Sequence, residues 1–271
     1  VGMAALDAGR MEEALTYLDA AHARFIALNQ PHTAAATELS RLIVLAILGR
    51  YEEAISIGLR ARDVLLAYND IPAAGKIEQN LGNIYFRRDE SEEAERFYRI
   101  ARERFLKSND QRLLAGAENG LANVYTREHR FRQADSLFEQ ALERVTHAGL
   151  AVLQASIECN IGFLALSQGH FDRALDYLER SRRRYTALGM PHESAIAEQE
   201  IADAYLELNL LPEAAAIYDQ VIPQFAALGM RAEQARALAY NGNARLLLGE
   251  FDQALQLLAE AQTLYKACLL Y

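Results

Sequence analysis

Apolar residues recur at three- and four-residue steps along almost the whole chain, the period of helices packed on one side. The pattern breaks about every twenty residues, and each break carries a turn residue. One set of breaks holds Gly9, Gly49, Gly169 and Gly249, with Asp89, His129 and Asn209 at the equivalent places. The other holds Asn29, Asn69, Asn109, Gly149, Gly189 and Gly229. Gly and Asn tolerate the left-handed conformation that closes a helix. The spacing predicts helix pairs over 34–48 and 51–68, 73–87 and 91–107, 112–127 and 131–147, and 152–168 and 171–187. Two more pairs follow, over 192–208 and 212–227, then 232–248 and 251–268. Pro31, Pro72 and Pro191 lie just beyond a turn, where proline begins a helix, and Pro212 falls in a first turn. Pro223 falls inside a helix and predicts a local kink.

Superposed on the helical period is a longer one. Ala14, Ala54, Ala94, Ala134, Ala174, Ala214 and Ala254 stand 40 residues apart without slippage. Three residues before each stands Met11, Tyr51, Ser91, Phe131, Phe171, Leu211 or Phe251. Small residues recur in the first helix of each pair, at Gly2, Gly82, Ala122, Gly162, Ala202 and Gly242, with Leu42 as the outlier. In the second helices Ala21, Ala61, Ala101, Ala141, Ser181 and Ala261 do the same, and Val221 is larger. Small side chains let two helices approach closely. A fixed period of this length means a solenoid of stacked local units, so 1–271 reads as one array and not as two globular domains. Gly2 occupies a mid-helix contact position, so residues 1–8 read as the tail of a helix whose start is missing. The run Ala267-Cys268-Leu269-Leu270-Tyr271 is apolar and lacks a polar cap. The expectation is a segment of a longer protein, or ends covered by another copy of the chain.

Composition narrows the function classes. With 51% hydrophobic and 24% charged residues the chain buries a large core. Its net charge of -9, from 37 acidic against 28 basic residues, argues against a general grip on nucleic acid. No apolar run reaches bilayer length, and two distant cysteines, Cys159 and Cys268, form no disulfide or metal framework. The expectation is a soluble, cytoplasmic chain in a reducing compartment.

The run Leu81-Gly82-Asn83-Ile84-Tyr85 followed by Ala94, the run Leu121-Ala122-Asn123-Val124-Tyr125 with Phe131 and Ala134, and Ile161-Gly162 with Gly169, Phe171 and Ala174 together resemble the tetratricopeptide repeat. The resemblance spans essentially the whole chain. The common repeat has about 34 residues, and the 40-residue unit is similar to the longer repeats of maltose-regulator-type bacterial transcription activators, spindle-orientation adaptors and repeat-plus-caspase-like proteins. It implies an all-α, right-handed superhelix of about six complete helix pairs after a truncated first. It also implies that the first helices line a concave groove that binds peptides or partner helices. By phase, the groove takes Lys76, Gln79, Asn83 and Arg87, then Asn119, Asn123, Thr126 and Arg127, then Ser156, Cys159, Phe163 and Ser167. Gln199, Asp203 and Glu207 follow, with Arg236, Asn243 and Leu247.

The residues themselves add to this. Asn83 and Asn123 sit within helices, where Asn is a poor former and needs a reason. Their amides suit a peptide backbone, and hydrogen bonding to the adjacent repeat explains them as well. Arg87 and Arg127 lie one turn further on, suited to a carboxylate or to a local salt bridge. With Lys76 they make a positive centre matched to an acidic partner, while Asp203 and Glu207 make the far end negative. Phe86, Phe163, Leu166, Leu206, Leu246 and Leu247 offer apolar pockets for an amphipathic helix, or ordinary core. Glu38, Glu78, Glu118, Glu158 and Glu198 recur in phase, one repeat apart and too far from one another to share a metal. Bridges to an Arg such as Arg104, Arg144 or Arg184 explain them better. The scattered histidines form no metal pair, and no phosphate loop or nucleophile elbow occurs.

The expectation is therefore a non-enzymatic protein-interaction scaffold without a cofactor, binding a peptide or partner helix in its groove. The alternative is a regulatory or sensor arm of a multidomain protein, acting by intramolecular contact or by self-association through the apolar C-terminal end. Small-molecule binding survives only through the transcription-activator resemblance.

Overall fold

The computed structural model describes residues 11–269. The expected helix over 1–8, Gly2 and the apolar side chains of 268–271 lie outside the described residues or side chains. The chain forms two compact units, Val1–Ala148 and Gly149–Tyr271. In the first, the described helices are α1 (Met11–Ala27), α2 (Pro31–Ile47), α3 (Tyr51–Ala67), α4 (Ile71–Arg87), α5 (Ser91–Ser108), α6 (Gln111–Arg127) and α7 (Phe131–His147). The second holds α8 (Ala151–Ser167), α9 (Phe171–Ala187), α10 (Pro191–Glu207), α11 (Leu211–Ala227), α12 (Arg231–Leu247) and α13 (Phe251–Leu269). No strand occurs among the described residues.

Each break in the apolar pattern from Asn29 to Gly249 becomes the same tight turn, and Gly9 lies outside the described residues. Asn29, Gly49, Asn69, Asp89, Asn109, His129, Gly149, Gly169, Gly189, Asn209, Gly229 and Gly249 all have positive φ. At the end of α2, Gly49 N–H donates to Ala46 and Arg50 N–H to Leu45, at 3.2 and 2.8 Å. This pair of bonds satisfies carbonyls that a helix end leaves free. Within each unit, connections this short force each helix to run back along its predecessor. The first helices of all six expected pairs begin one to three residues earlier than the sequence pattern places them, at Pro31, Ile71, Gln111, Ala151, Pro191 and Arg231. The reason in α2, α4 and α10 is that a proline takes the first or second helical position instead of preceding the helix. Asp70 and Asp110 cap α4 and α6 by accepting from Ala73 and Leu113 N–H. α11 continues through Pro223 as one helix.

The repeated small residues are where paired helices touch. A Cβ added at Gly162 of α8 would stand 2.6 Å from Leu178 and 3.3 Å from the Ala174 carbonyl oxygen, both on α9. Gly242 meets Leu258 and the Ala254 carbonyl in the same way, at 2.8 and 3.4 Å. All the landmark alanines from Ala14 to Ala254 are buried. Between these contacts the core fills with large side chains: Leu42, Leu65, Ile77, Leu81 and Phe97 in the first unit, Tyr218, Val221 and Phe225 in the second.

The phased glutamates are structural. Glu78 takes the Arg104 guanidinium on both carboxylate oxygens. Glu118 accepts from Arg144 at 3.0 Å and from Arg102 at 3.2 Å, and Glu158 from Arg184 at 3.0 and 3.1 Å. Each ladder arginine lies 26 residues after its glutamate. At that spacing Glu198 meets Gln224, at 3.2 Å. Glu38 meets Val64 there, and is held instead by His22 and Arg41, both at 2.6 Å. A cavity of about 400 Å³, lined by Glu38 and Val64 among others, opens between α1, α2 and α3 where the ladder arginine is missing.

Within each unit the first helices crowd together. α2 touches α4 and α4 touches α6; in the second unit α8 touches α10 and α10 touches α12. The second helices of neighbouring pairs make no comparable contact among the described residues. The first helices are therefore the inner layer of each unit, and their outward side chains define its inner face.

Candidate binding surface

In the first unit the inner face is polar and built on α4 and α6. Tyr98 of α5 donates its hydroxyl to Asn83 Oδ1 at 2.6 Å. This bond consumes the amide oxygen and leaves the exposed Asn83 NH2 to point away from the core. The Tyr98 ring lies in a slot made by two glycines, with an added Cβ at Gly82 3.0 Å and at Gly120 2.3 Å from ring carbons. Burial pushes the phenol pKa well above its ordinary value, so Tyr98 keeps the proton it donates to Asn83. Lys76, Gln79, Asn119 and Asn123 are half-buried on the same two helices, and Arg87 is exposed.

The two arginines differ. Arg127 lies over the Phe86 ring, 3.5 Å from its centroid, and donates to the Phe86 carbonyl and to Asp89, each at 2.6 Å. Its fork is occupied by the turn of the preceding pair, so the expected open carboxylate site at Arg127 is filled from within the chain. Among the described residues no carboxylate pairs with Arg87. Thr126, placed by phase on the groove, is buried and donates to the Ala122 carbonyl at 2.9 Å.

In the second unit the inner face carries a groove of about 330 Å³ on α8, α10 and α12. Phe163 and Leu166 form its apolar side, with Leu206 and Tyr240. Phe163 is 52% exposed, unusual for a phenylalanine on a helix whose neighbours are core residues. Glu200, Asp203, Glu207 and Arg236 line the polar side. Tyr218 of α11 donates to Asp203 Oδ1 at 2.5 Å, and Arg236 lies 3.4 Å from the other oxygen while pairing with Glu200 at 2.7 Å. Burial pushes the Asp203 carboxyl up to about 7; Glu200 and Glu207 push the same way, against the Tyr218 hydrogen bond and Arg236.

The sequence phase brings Phe163, Ser167, Asp203, Glu207 and Arg236 to this groove. Gln199 does not belong there. It is buried, and with its amide oxygen turned to Arg236 it accepts at 2.8 Å. Asn243 and Leu247 are exposed on α12. Glu200 and Tyr240 were missed, although each lies three or four residues from a named groove residue, one helical turn away.

Cys159 on α8 lies among core residues, and burial pushes its thiol up to about 12, so a reactive thiolate is not present at neutral pH. Among the described residues no group of His, Cys, Asp and Glu is arranged to hold a metal ion, and no helix is long and apolar enough to cross a membrane.

Antiparallel helix pairs with a small-residue seam and an exposed inner layer define a helical-repeat scaffold. Tetratricopeptide repeat models match residues 73–147 and 113–187, and residues 2–64 and 160–227. The chain belongs to the tetratricopeptide repeat superfamily. No curated protein sequence matches it. Among solved structures it is similar to the apo form of RapI, with 12% identity and a TM-score of 0.77 over 98% of this chain and 95% of that one. It is also similar to BtubC (BKLC) from P. vanneervenii, with 21% identity and a TM-score of 0.70 over 82% of this chain and 93% of that one. A third is a Signal Transduction ATPase with Numerous Domains protein with a tetratricopeptide repeat sensor, from Pyrococcus horikoshii, with 19% identity and a TM-score of 0.63. That match covers 89% of this chain and 39% of that protein. At these identities the likeness is one of fold.

Proposed function

We propose that the chain is a protein-interaction scaffold whose inner faces bind a peptide or partner helix. The observation that carries this reading is the second unit's groove, where Phe163 stands open to solvent beside Leu166, Leu206 and Tyr240 and faces Glu200, Asp203, Glu207 and Arg236. An exposed aromatic beside oriented polar groups is how a helical groove anchors one side chain of a partner and fixes its direction. In the first unit the outward Asn83 NH2, Lys76 and the exposed Arg87 present donors, which suits carbonyl or carboxylate groups on a partner. Panning a displayed-peptide library against the full chain tests this. Clones should emerge that lose binding in Phe163→Ala or in Asn83→Ala with Asn123→Ala. Clones indifferent to both faces would overturn it.

A further inference from the structure

The chemistry of the second unit's groove selects between kinds of partner, and this selection rests on the reading of that groove as a protein-binding site. Helix α10 carries Glu193, Glu198, Glu200, Asp203 and Glu207 and no lysine or arginine. Three of these carboxylates, Glu200, Asp203 and Glu207, line the groove against one cation, Arg236, whose charge is committed to Glu200 and Asp203. Glu207 is exposed and without a cationic partner among the described residues. The apolar wall opposite is aromatic at Phe163 and Tyr240, both open to solvent. A cationic head group gains from both walls at once, by ion pairing with the carboxylates and by lying over a ring face. An acidic segment meets net negative charge, and an anionic lipid surface or nucleic acid meets the same obstacle.

We propose that this groove takes a basic amphipathic segment of a partner protein. A lysine or arginine of that segment sits among Asp203, Glu200 and Glu207, and its neighbouring apolar side chain covers Phe163 and Leu206. The first unit's face, with Lys76 and Arg87, has the opposite polarity, so the basic preference belongs to the second unit alone.

Fluorescence anisotropy of the full chain with three labelled amphipathic helical peptides tests this. The three share one set of apolar positions and carry Lys, Gln or Glu at the polar ones. The Lys peptide should bind about tenfold more tightly than the Gln peptide, the Glu peptide most weakly, and the preference should shrink as salt rises. Phe163→Ala should weaken the Lys and Gln peptides alike. Glu207→Lys and Glu200→Gln should remove most of the Lys preference. A Lys preference untouched by those two substitutions reports the net charge of the whole chain and overturns the proposal. Equal binding of all three peptides, still lost in Phe163→Ala, also overturns it while leaving the groove as a protein site. Binding that ignores Phe163 in every peptide overturns the groove reading itself.

Discussion

Tyr218 Oη lies 2.5 Å from Asp203 Oδ1, and three repeats earlier Tyr98 makes the same bond to Asn83 at 2.6 Å. In both cases the acceptor is on a first helix and the tyrosine is 15 residues later, on the second. The same spacing pairs Asn123 with Phe138 and Phe163 with Leu178. Where the second helix offers a hydroxyl, the inner face carries an anchored polar group. Where Leu178 stands instead, the inner face carries an aromatic. The register sets the partner but not the residue type, since Asn123 stands opposite Phe138 and Asn243 opposite Leu258.

That equivalence makes Asp203→Asn an informative substitution, because Asn83 shows that an amide oxygen accepts the tyrosine hydroxyl without rearrangement. The Asp203 pKa is raised from 3.8 to about 7 in the folded chain, first of all by burial. The folded state therefore holds this proton more tightly than the unfolded state does. The stability it contributes is fully present below about pH 4 and is lost as pH rises through about 7. The variant should match the parent in acid and exceed it above neutrality, with urea midpoints diverging between about pH 4 and about pH 7 and staying apart above that. The groups that also face Asp203 are Glu200 and Glu207 on α10, Tyr218 on α11 and Arg236 on α12. A midpoint difference independent of pH would show that Asp203 is ionised throughout.

The glycine slot around Tyr98 predicts a sharp contrast between two alanine substitutions. At Gly120 a new Cβ would stand 2.3 Å from the Tyr98 ring, which is held on its other side by Gly82. Gly120→Ala should cost about 1–3 kcal/mol by overpacking. In a Tyr98→Ala background the same change should be nearly neutral, since the ring it displaces is gone. Gly49→Ala meets no atom but must hold a φ of +73°, so it should cost about 1–2 kcal/mol in any background. Denaturant unfolding of the four variants measures this, and additivity of the Gly120 and Tyr98 changes would refute the slot.

Arg87 and Arg127 look alike in sequence and should behave differently. Arg127→Ala strips a cation from the Phe86 ring and a partner from Asp89, for a cost of about 1 kcal/mol. Arg87→Ala should change stability by less than about 0.5 kcal/mol, as for a side chain without a structural partner. Thermal melts of the two variants separate the roles.

Much of this was legible in the sequence because the repeat constrains it. The 40-residue spacing fixes every left-handed turn from Asn29 to Gly249, and the spacing of Glu to Arg forecasts the ladder at Arg104, Arg144 and Arg184. Phase alone placed Phe163, Asp203 and Arg236 on one face. It failed by a fraction of a turn at Thr126 and Gln199, which lie at the edge of the inner face, where a helical wheel does not decide between core and groove. At Arg127 it left a ligand carboxylate and a salt bridge both open; the salt bridge forms, to Asp89 in a turn 38 residues earlier, a tertiary contact no local period encodes. The missing arginine opposite Glu38 was readable as Val64, but the cavity it leaves depends on how His22 and Arg41 take over the carboxylate.

That substitution within the ladder yields the most direct test of what the glutamates do. Glu78 is buried and, among the described residues, its carboxylate is held by Arg104 alone. Arg104→Val reproduces at Glu78 the situation of Glu38 opposite Val64, but without a histidine or a second arginine to compensate. A buried carboxylate left unpaired should cost about 3–5 kcal/mol. Replacing the carboxylate as well, in Arg104→Val with Glu78→Leu, removes the stranded charge and should recover most of that loss. The compensated site predicts the opposite asymmetry: Val64→Arg should stabilise by no more than about 1 kcal/mol, because Glu38 already has its cations and the new side chain gains only a partly exposed pair. Urea unfolding of the three variants decides the matter. If Arg104→Val costs less than about 1 kcal/mol, pairing with Arg104 is not what holds the Glu78 carboxylate in the core.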